Sequence, residues 1–400
     1  MGRGIAQLLA TAGYRVNLTD AYREVLDAGL RSIREGLGRL AERGRIKESV
    51  DAIYGRISPQ ASIGEAVDGC DLVIEAATEN PEVKRAIFEE MDARAPPHAI
   101  LASNTSGLPI TFMADATSGG RRRMVAGLHF FNPPTAMRLV EVVKGRYTDD
   151  ETVEALSSLS RFLGKEPIVV RRDIRGFIAN RVNRAIRYEA FAMVLRGEAE
   201  PVAIDSAMRY GLGAPMGPFE LVDFTGIDLE LGEEGLFNYM RERYPEWEPH
   251  DEYVAMRSFA LRLARDYADR GWLGVKSGRG FYTYPAPGKW VKVDLPREAG
   301  ESLHPMEIVA PAVNLSAWLL ERGVADARDV EAAMELGFNY PKGLLKLADE
   351  YGLDLVVEEL QRKERKSQGA AYAAFYQPVD LLARLARNGG RLSEVELRAG

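Results

Sequence analysis

One cysteine, Cys70, stands in a chain of 400 residues, which excludes an intramolecular disulfide framework and any cysteine-based zinc site. Histidine is almost as scarce: His98, His129, His250 and His304 are far apart and none forms an H-x-x-x-H pair, so metal catalysis is not expected. No run approaches the roughly 18 consecutive apolar residues of a membrane helix. The formal charge of -7 and the scattered basic residues lack the footprint of a nucleic-acid binder. A charged-then-apolar leader and a C-terminal targeting tripeptide are also missing, and a cytoplasmic enzyme is the resulting expectation.

What is present is a soluble globular composition, 46% hydrophobic and 28% charged, in a chain long enough for two or three domains. Small and apolar residues from Gly2 to Ala10 fall at helical spacing and Gly13 stops them. A strand over 14–19 ends at Asp20, and a long helix follows over about 23–43. Further strands are expected at 71–76, 99–102, 125–130, 139–143 and 167–170. Strands alternating with helices imply a parallel α/β sheet. From Gly176 the pattern turns to long amphipathic helices, with one short strand at 280–284 and a Pro/Gly-rich linker at 285–302.

The chain after that linker repeats what came before it. Arg196, Gly197, Ala207, Met208, Gly211, Pro215, Gly217, Asp223, Gly226 and Asp228 recur as Arg322, Gly323, Ala333, Met334, Gly337, Pro341, Gly343, Asp349, Gly352 and Asp354, every pair 126 positions apart by subtraction. A gapless offset shared by so many positions indicates a tandem duplication of one helical unit. The expected domains are therefore 1–174, 175–284 and, after the linker, a second degenerate copy over 303–400.

Two features carry chemistry on residue type alone. Gly2-x-Gly4 opening an apolar helix, then a strand ending in an acid, matches the back half of a dinucleotide-binding β-α-β unit. Its helix N-terminus receives the pyrophosphate, and Asp20 would bond the ribose hydroxyls of NAD. Oxidising a secondary alcohol needs a base near neutrality at the hydroxyl oxygen. His129, at the end of an expected strand, suits that role, and Glu141, 12 residues on in the next strand, would orient its imidazole.

Met1-Gly2-Arg3-Gly4-Ile5-Ala6 resembles the interior of the glycine motif of the L-3-hydroxyacyl-CoA dehydrogenase family. The similarity continues through Glu75 to Asn80, Ala102 to Ser106, Gly127 to Pro133, Gly176 to Arg181, Pro215 to Leu221 and Lys276 to Tyr282. The resemblance implies a Rossmann-type sheet domain followed by two tandem helical domains, NAD as cofactor, an acyl-CoA substrate, and interconversion of (S)-3-hydroxyacyl-CoA and 3-oxoacyl-CoA. It gives His129 and Glu141 the roles above and places Ser106 at both substrate and cofactor. Asn180 would reach across a cleft to the substrate carbonyl. Glu79 and Lys84 would lie near the nicotinamide ribose, Asn132 near the nicotinamide and Lys276 at the cofactor from the second domain, while Arg43 stands where a CoA-phosphate contact is often found.

Some features depart from the family. Arg175 replaces the usual proline before Gly176, and Met306 stands where the offset of 126 places the counterpart of Asn180, so the second copy lacks that residue. The motif's first strand and first two glycines lie before Met1. A start upstream of Met1 is the expectation, and without that strand the sheet would have two open edges and poor NAD affinity. The tandem copies imply an intrachain pseudo-dimer as an alternative to a homodimer, and fused relatives imply a separate enoyl-CoA hydratase as partner. A sugar-acid dehydrogenase of L-gulonate type and a non-catalytic scaffold are the rival readings.

Overall fold

The computed structural model describes residues 1–232 and 234–396; the last four residues of the expected 303–400 copy lie outside it. The chain folds as two units, 1–177 and 178–400.

The first unit alternates helices and strands as the residue pattern requires. In order come α1 Gly2–Thr11, β1 Val16–Leu18, α2 Arg23–Glu42, α3 Val50–Tyr54, β2 Ile57–Pro59, α4 Ile63–Val67 and β3 Leu72–Glu75. They are followed by α5 Pro81–Arg94, β4 Ile100–Ser103, α6 Ile110–Asp115, β5 Val125–Phe130, β6 Leu139–Lys144, α7 Asp150–Phe162 and β7 Glu166–Val170. Helix α1 stitches two cores together. Ile5 packs with Leu128, Val140 and Leu156, whereas Ala6 and Ala10 on its other face pack with Leu26, Leu30 and Ile33 of α2.

Two departures from the expected single parallel sheet matter. The strands form two sheets, β1-β2 and β3-β4-β5-β6-β7, so β1 and β3 each have one paired edge within the described residues. Strand β2, three residues with Ile57 buried and Ser58 and Pro59 exposed, is too short and shows no alternation by which to register as a strand from sequence. In the larger sheet β6 runs antiparallel to β5, because the eight residues 131–138 are too few for a helical crossover and turn the chain straight back.

The second unit is helical. Helices α8 Ala179–Leu195, α9 Pro201–Ser206, α10 Pro218–Thr225, α11 Ile227–Leu231, α12 Glu234–Arg243 and α13 Asp251–Asp269 precede α14 Pro305–Glu321, α15 Ala327–Gly337, α16 Leu344–Tyr351, α17 Leu353–Lys366 and α18 Asp380–Asn388. The offset of 126 relates elements as well as residues: α8 maps onto α14 and α10 onto α16, end to end. It relates their hydrogen bonds too. Asp205 accepts from the N–H groups of Phe219 and Glu220 at the start of α10, and Glu331, 126 positions later, accepts from Leu345 and Lys346 at the start of α16. These carboxylates approach so closely that a Cβ on Gly217 or Gly343 would lie 2.3 Å from the acid, so both copies require glycine there. Asp223 and Asp349 repeat the pattern, each accepting two consecutive N–H groups, from Phe281 and Tyr282 in one copy and Leu392 and Ser393 in the other.

The expected strand at 280–284 forms only isolated bridges, among them Arg279 to Thr283. Asp223 takes up the N–H groups that a neighbouring strand would have bonded. The segment read as a linker is held to the helices as well: Arg209, Tyr210 and Ser206 donate to the carbonyls of Val293, Leu295 and Pro296. Along this unit α14 packs on α8. Among the described residues no helix is long and apolar enough to cross a membrane.

Candidate active site

The antiparallel turn between β5 and β6 builds the central pair. Register places His129 directly opposite Glu141, where cross-strand side chains share a face. Nδ1 of His129 lies 2.7 Å from Oε2 of Glu141, and both residues are buried. A carboxylate can only accept, so Nδ1 carries the proton and Nε2 presents a lone pair, as a general base requires. Two aromatic rings hold the imidazole in place, Phe131 with its centroid at 4.8 Å and Phe177 at 5.7 Å. Phe177 has φ 53, a left-handed backbone unusual for an aromatic residue and found where a local geometry is enforced by its surroundings.

The loop after β4 stands next to this strand. Asn104 Oδ1 accepts from the Phe130 N–H at 2.9 Å, tying the loop to the residue after His129. Glu79 clasps the loop from the other side: its Oε1 accepts from Thr105 Oγ1 at 2.5 Å, Ser106 N at 3.1 Å and Gly107 N at 3.0 Å. Ser106 itself is exposed, with its hydroxyl available at the surface of the unit.

Lys84 is placed differently from a cofactor ligand. It is 1% exposed, and its Nζ bonds both oxygens of Glu75 at 2.7 and 2.9 Å, with Ser103 Oγ donating to the same carboxylate at 2.6 Å. Nζ also lies 3.4 Å from Glu79 Oε2, so Lys84 supports Glu79 from beneath, and Glu79 is the member of the pair that reaches the surface.

Gly2, Gly4, Asp20 and Asn132, expected at the nucleotide, all belong to the first unit. Gly2 and Gly4 form the first turn of α1, and Met1 at the N-cap supplies no side-chain acceptor. A Cβ on Gly4 would meet Pro134 Cγ at 2.6 Å, so this position must be glycine for the turn to approach the chain that follows Asn132. Gly2 faces Ala76 at the end of β3. Asp20 follows β1, is exposed, and accepts from the Tyr22 N–H. Asn132 is exposed beside a cis peptide bond to Pro133. This arrangement fits a dinucleotide: a helix N-terminus with glycines in its first turn, an acid after the next strand, and strand ends beside it. Arg43 ends α2 and is exposed on a different helix end.

Asn180 and Lys276 belong to the second unit. Asn180 is the second residue of α8 and half-buried. Lys276 forms an ion pair with Asp228 and is half-exposed. Sequence reasoning missed Phe177, Glu75, Ser103 and Asn104 as members of the site. Of these, Glu75 carried a signal, a lone carboxylate in the apolar run 72–76.

Comparison with known proteins follows the same lines. The family model for the NAD-binding domain of 3-hydroxyacyl-CoA dehydrogenase matches residues 1–174, and the model for that enzyme's C-terminal domain matches twice, at 176–284 and 307–394. A probable 3-hydroxybutyryl-CoA dehydrogenase of Bacillus subtilis is 41% identical over 290 residues, 71% of this chain and 94% of its own length. The crystal structure of 3-hydroxybutyryl-CoA dehydrogenase from Escherichia coli has a TM-score of 0.80 at 27% identity, covering 97% of this chain and 96% of its own. A (S)-3-hydroxybutyryl-CoA dehydrogenase from Ralstonia eutropha has a TM-score of 0.62 at 35% identity, covering 71% of this chain and 95% of its own. The Bacillus and Ralstonia proteins stop short of the second copy, and the Escherichia coli chain spans it.

Proposed function

The chain belongs to the 3-hydroxyacyl-CoA dehydrogenase family, and from that premise we propose that His129, oriented by Glu141, is the acid-base residue that interconverts a short-chain (S)-3-hydroxyacyl-CoA and its 3-oxoacyl-CoA. The observation that carries the reading is the buried 2.7 Å contact of Nδ1 with the carboxylate, which leaves Nε2 free to exchange a proton with the substrate oxygen. In oxidation Nε2 takes the hydroxyl proton, and Glu141 stabilises the imidazolium that forms; in reduction Nε2 returns the proton to the oxygen. When bound, the cofactor would supply the hydride acceptor as NAD for oxidation and the hydride donor as NADH for reduction. Gly2 and Gly4 at the α1 N-terminus would hold its pyrophosphate, and Asp20 its adenosine ribose. Glu79, Asn132 and Lys276 would complete the nicotinamide side, with Lys84 acting through Glu79.

Ser106 and Asn180 are read as the substrate-positioning pair, Ser106 on the loop that Glu79 clasps. Arg43 is the candidate contact to the CoA phosphates. The four-carbon acyl chain in the names of the relatives supports a short substrate. The two helical copies act as an intrachain pseudo-dimer in this reading, the cytoplasm is the place of action, and a separate hydratase would supply the 3-hydroxyacyl-CoA.

The test is the loss of NADH absorbance with acetoacetyl-CoA. Turnover that His129→Gln abolishes, and that free CoA inhibits competitively, is the expected result. Turnover indifferent to His129, or to free CoA, would overturn the assignment and favour a sugar-acid substrate.

A further inference from the structure

Asn180 lies in the first turn of α8, which runs from Ala179 to Leu195. Arg181, the next residue after Asn180, is held by groups from three other segments. Its guanidinium is fully buried and donates to Glu248 through both terminal nitrogens, Nη2 to Oε1 at 2.9 Å and Nη1 to Oε2 at 3.2 Å. Nη2 lies 3.0 Å from Nδ1 of His250, and the Tyr253 hydroxyl donates to the Arg181 carbonyl at 3.4 Å. The guanidinium is flanked by two aromatic rings, Tyr253 with its centroid 4.7 Å from Cζ and Trp318 at 5.5 Å. The His250 ring packs against Trp318 at 4.1 Å.

Trp318 comes from α14 of the second copy. The offset of 126 pairs it with Ala192, so the first copy has no such ring at the matching place. The same offset pairs Arg181 with Glu307, which bonds Arg362 at 2.8 Å, an ion pair of reversed polarity. The second copy therefore lacks both the asparagine and the arginine, yet supplies one wall around the arginine of the first.

We propose that Trp318 and Glu248 are positioning residues for the reaction: by clamping Arg181 they fix the first turn of α8 and with it the carboxamide of Asn180. The inference rests on the reading of Asn180 as a substrate-orienting residue. A fully buried ion pair is a poor device for stability alone, since apolar side chains of similar volume often serve as well. A planar guanidinium held by two parallel hydrogen bonds and flanked by rings does something apolar packing does not, because it fixes direction as well as depth. Misplacement of a reacting group by about 1 Å can cost up to about 100-fold in rate. The degenerate copy thus has a catalytic consequence without a catalytic residue.

The experiment compares Asn180→Ala, Arg181→Lys, Glu248→Gln, Trp318→Leu, Trp318→Phe and the double variant N180A/R181K in the full chain, with acetoacetyl-CoA and NADH. Arg181→Lys, Glu248→Gln and Trp318→Leu are expected to lower kcat by about tenfold with the KM for NADH unchanged, and Trp318→Phe to restore most of the rate. In the N180A background the Arg181→Lys loss should vanish, because it acts through Asn180. The two lysine and glutamine variants carry the test should Trp318→Leu fail to fold. A normal kcat in folded Arg181→Lys, or the same fold-loss with and without Asn180, overturns the proposal and leaves the role of Asn180 standing. A normal kcat in Asn180→Ala overturns both.

Discussion

His129 and Glu141 form a pair whose parts are unequal. In the proposed reaction the imidazole would move the proton, and the carboxylate would decide which nitrogen holds it. Glu141→Gln keeps the size and a hydrogen-bonding group but lets the amide donate, which permits the wrong tautomer. We expect kcat to fall by about 10²–10⁴-fold with the affinity for NADH unchanged, measured by steady-state kinetics and calorimetric titration of the cofactor. Lys84 makes a contrasting case. Lys84→Met would leave the buried Glu75 with only the neutral donors Ser103 and Ala77, at a cost of about 3–5 kcal/mol in urea unfolding. The contact of His129 with Glu141 was legible because a histidine and a glutamate in apolar strands stand out from their neighbours. The burial of Lys84 was not, since a lysine on the polar-looking helix α5 carries no mark of the carboxylate nine residues earlier that draws it inward.

At the scale of elements, the helices and most strands followed from periodicity, whereas pairing direction and register did not. Nothing in 131–138 states that the chain turns back, yet that reversal is what sets Glu141 opposite His129. The repeat was legible down to single residues, because both copies need the same glycine where an acid crowds the next helix. The clamp on Arg181 was not, as its partner Glu248 is 67 residues away on the far side of four helices. His250, between α12 and α13, makes this region sensitive to pH. Burial, reinforced by the charge of Arg181 and opposed by Glu248, pushes its imidazole down to about 4. The unfolded chain binds this proton below about 6.5 and the folded chain only below about 4, so stability is complete above 6.5 and declines as the pH falls between those values. Urea unfolding of the native chain and of His250→Gln across that range should differ by on the order of 3 kcal/mol in pH dependence, the variant showing the flatter profile.

Across the whole second unit, a charged network joins the two helical copies. Glu189 on α8 is fully buried and bonds Lys363 of α17 at 2.8 Å, the Tyr376 hydroxyl at 2.6 Å and Arg196 at 2.9 Å. Lys363→Met should destabilise the chain by about 2 kcal/mol, less than for an orphaned charge, because Arg196 and Tyr376 remain on Glu189. A fall in the urea midpoint with unchanged slope is the expected signature; no fall would show the network to be dispensable. Residues 174 and 180 positions apart meet here, and no local pattern announces such a contact.

Because both copies belong to one polypeptide, their contact is a first-order event. Separate chains must find each other at whatever concentration the cell supplies, but tethered copies meet at an effective concentration of order millimolar, and dilution does not part them. Each position is also written once: where two identical chains related by a twofold axis would carry every substitution on both sides of their shared surface, here α8 and α14 are free to differ, and they do. Met306 and Glu307 could depart from Asn180 and Arg181 without harm to the copy that kept them.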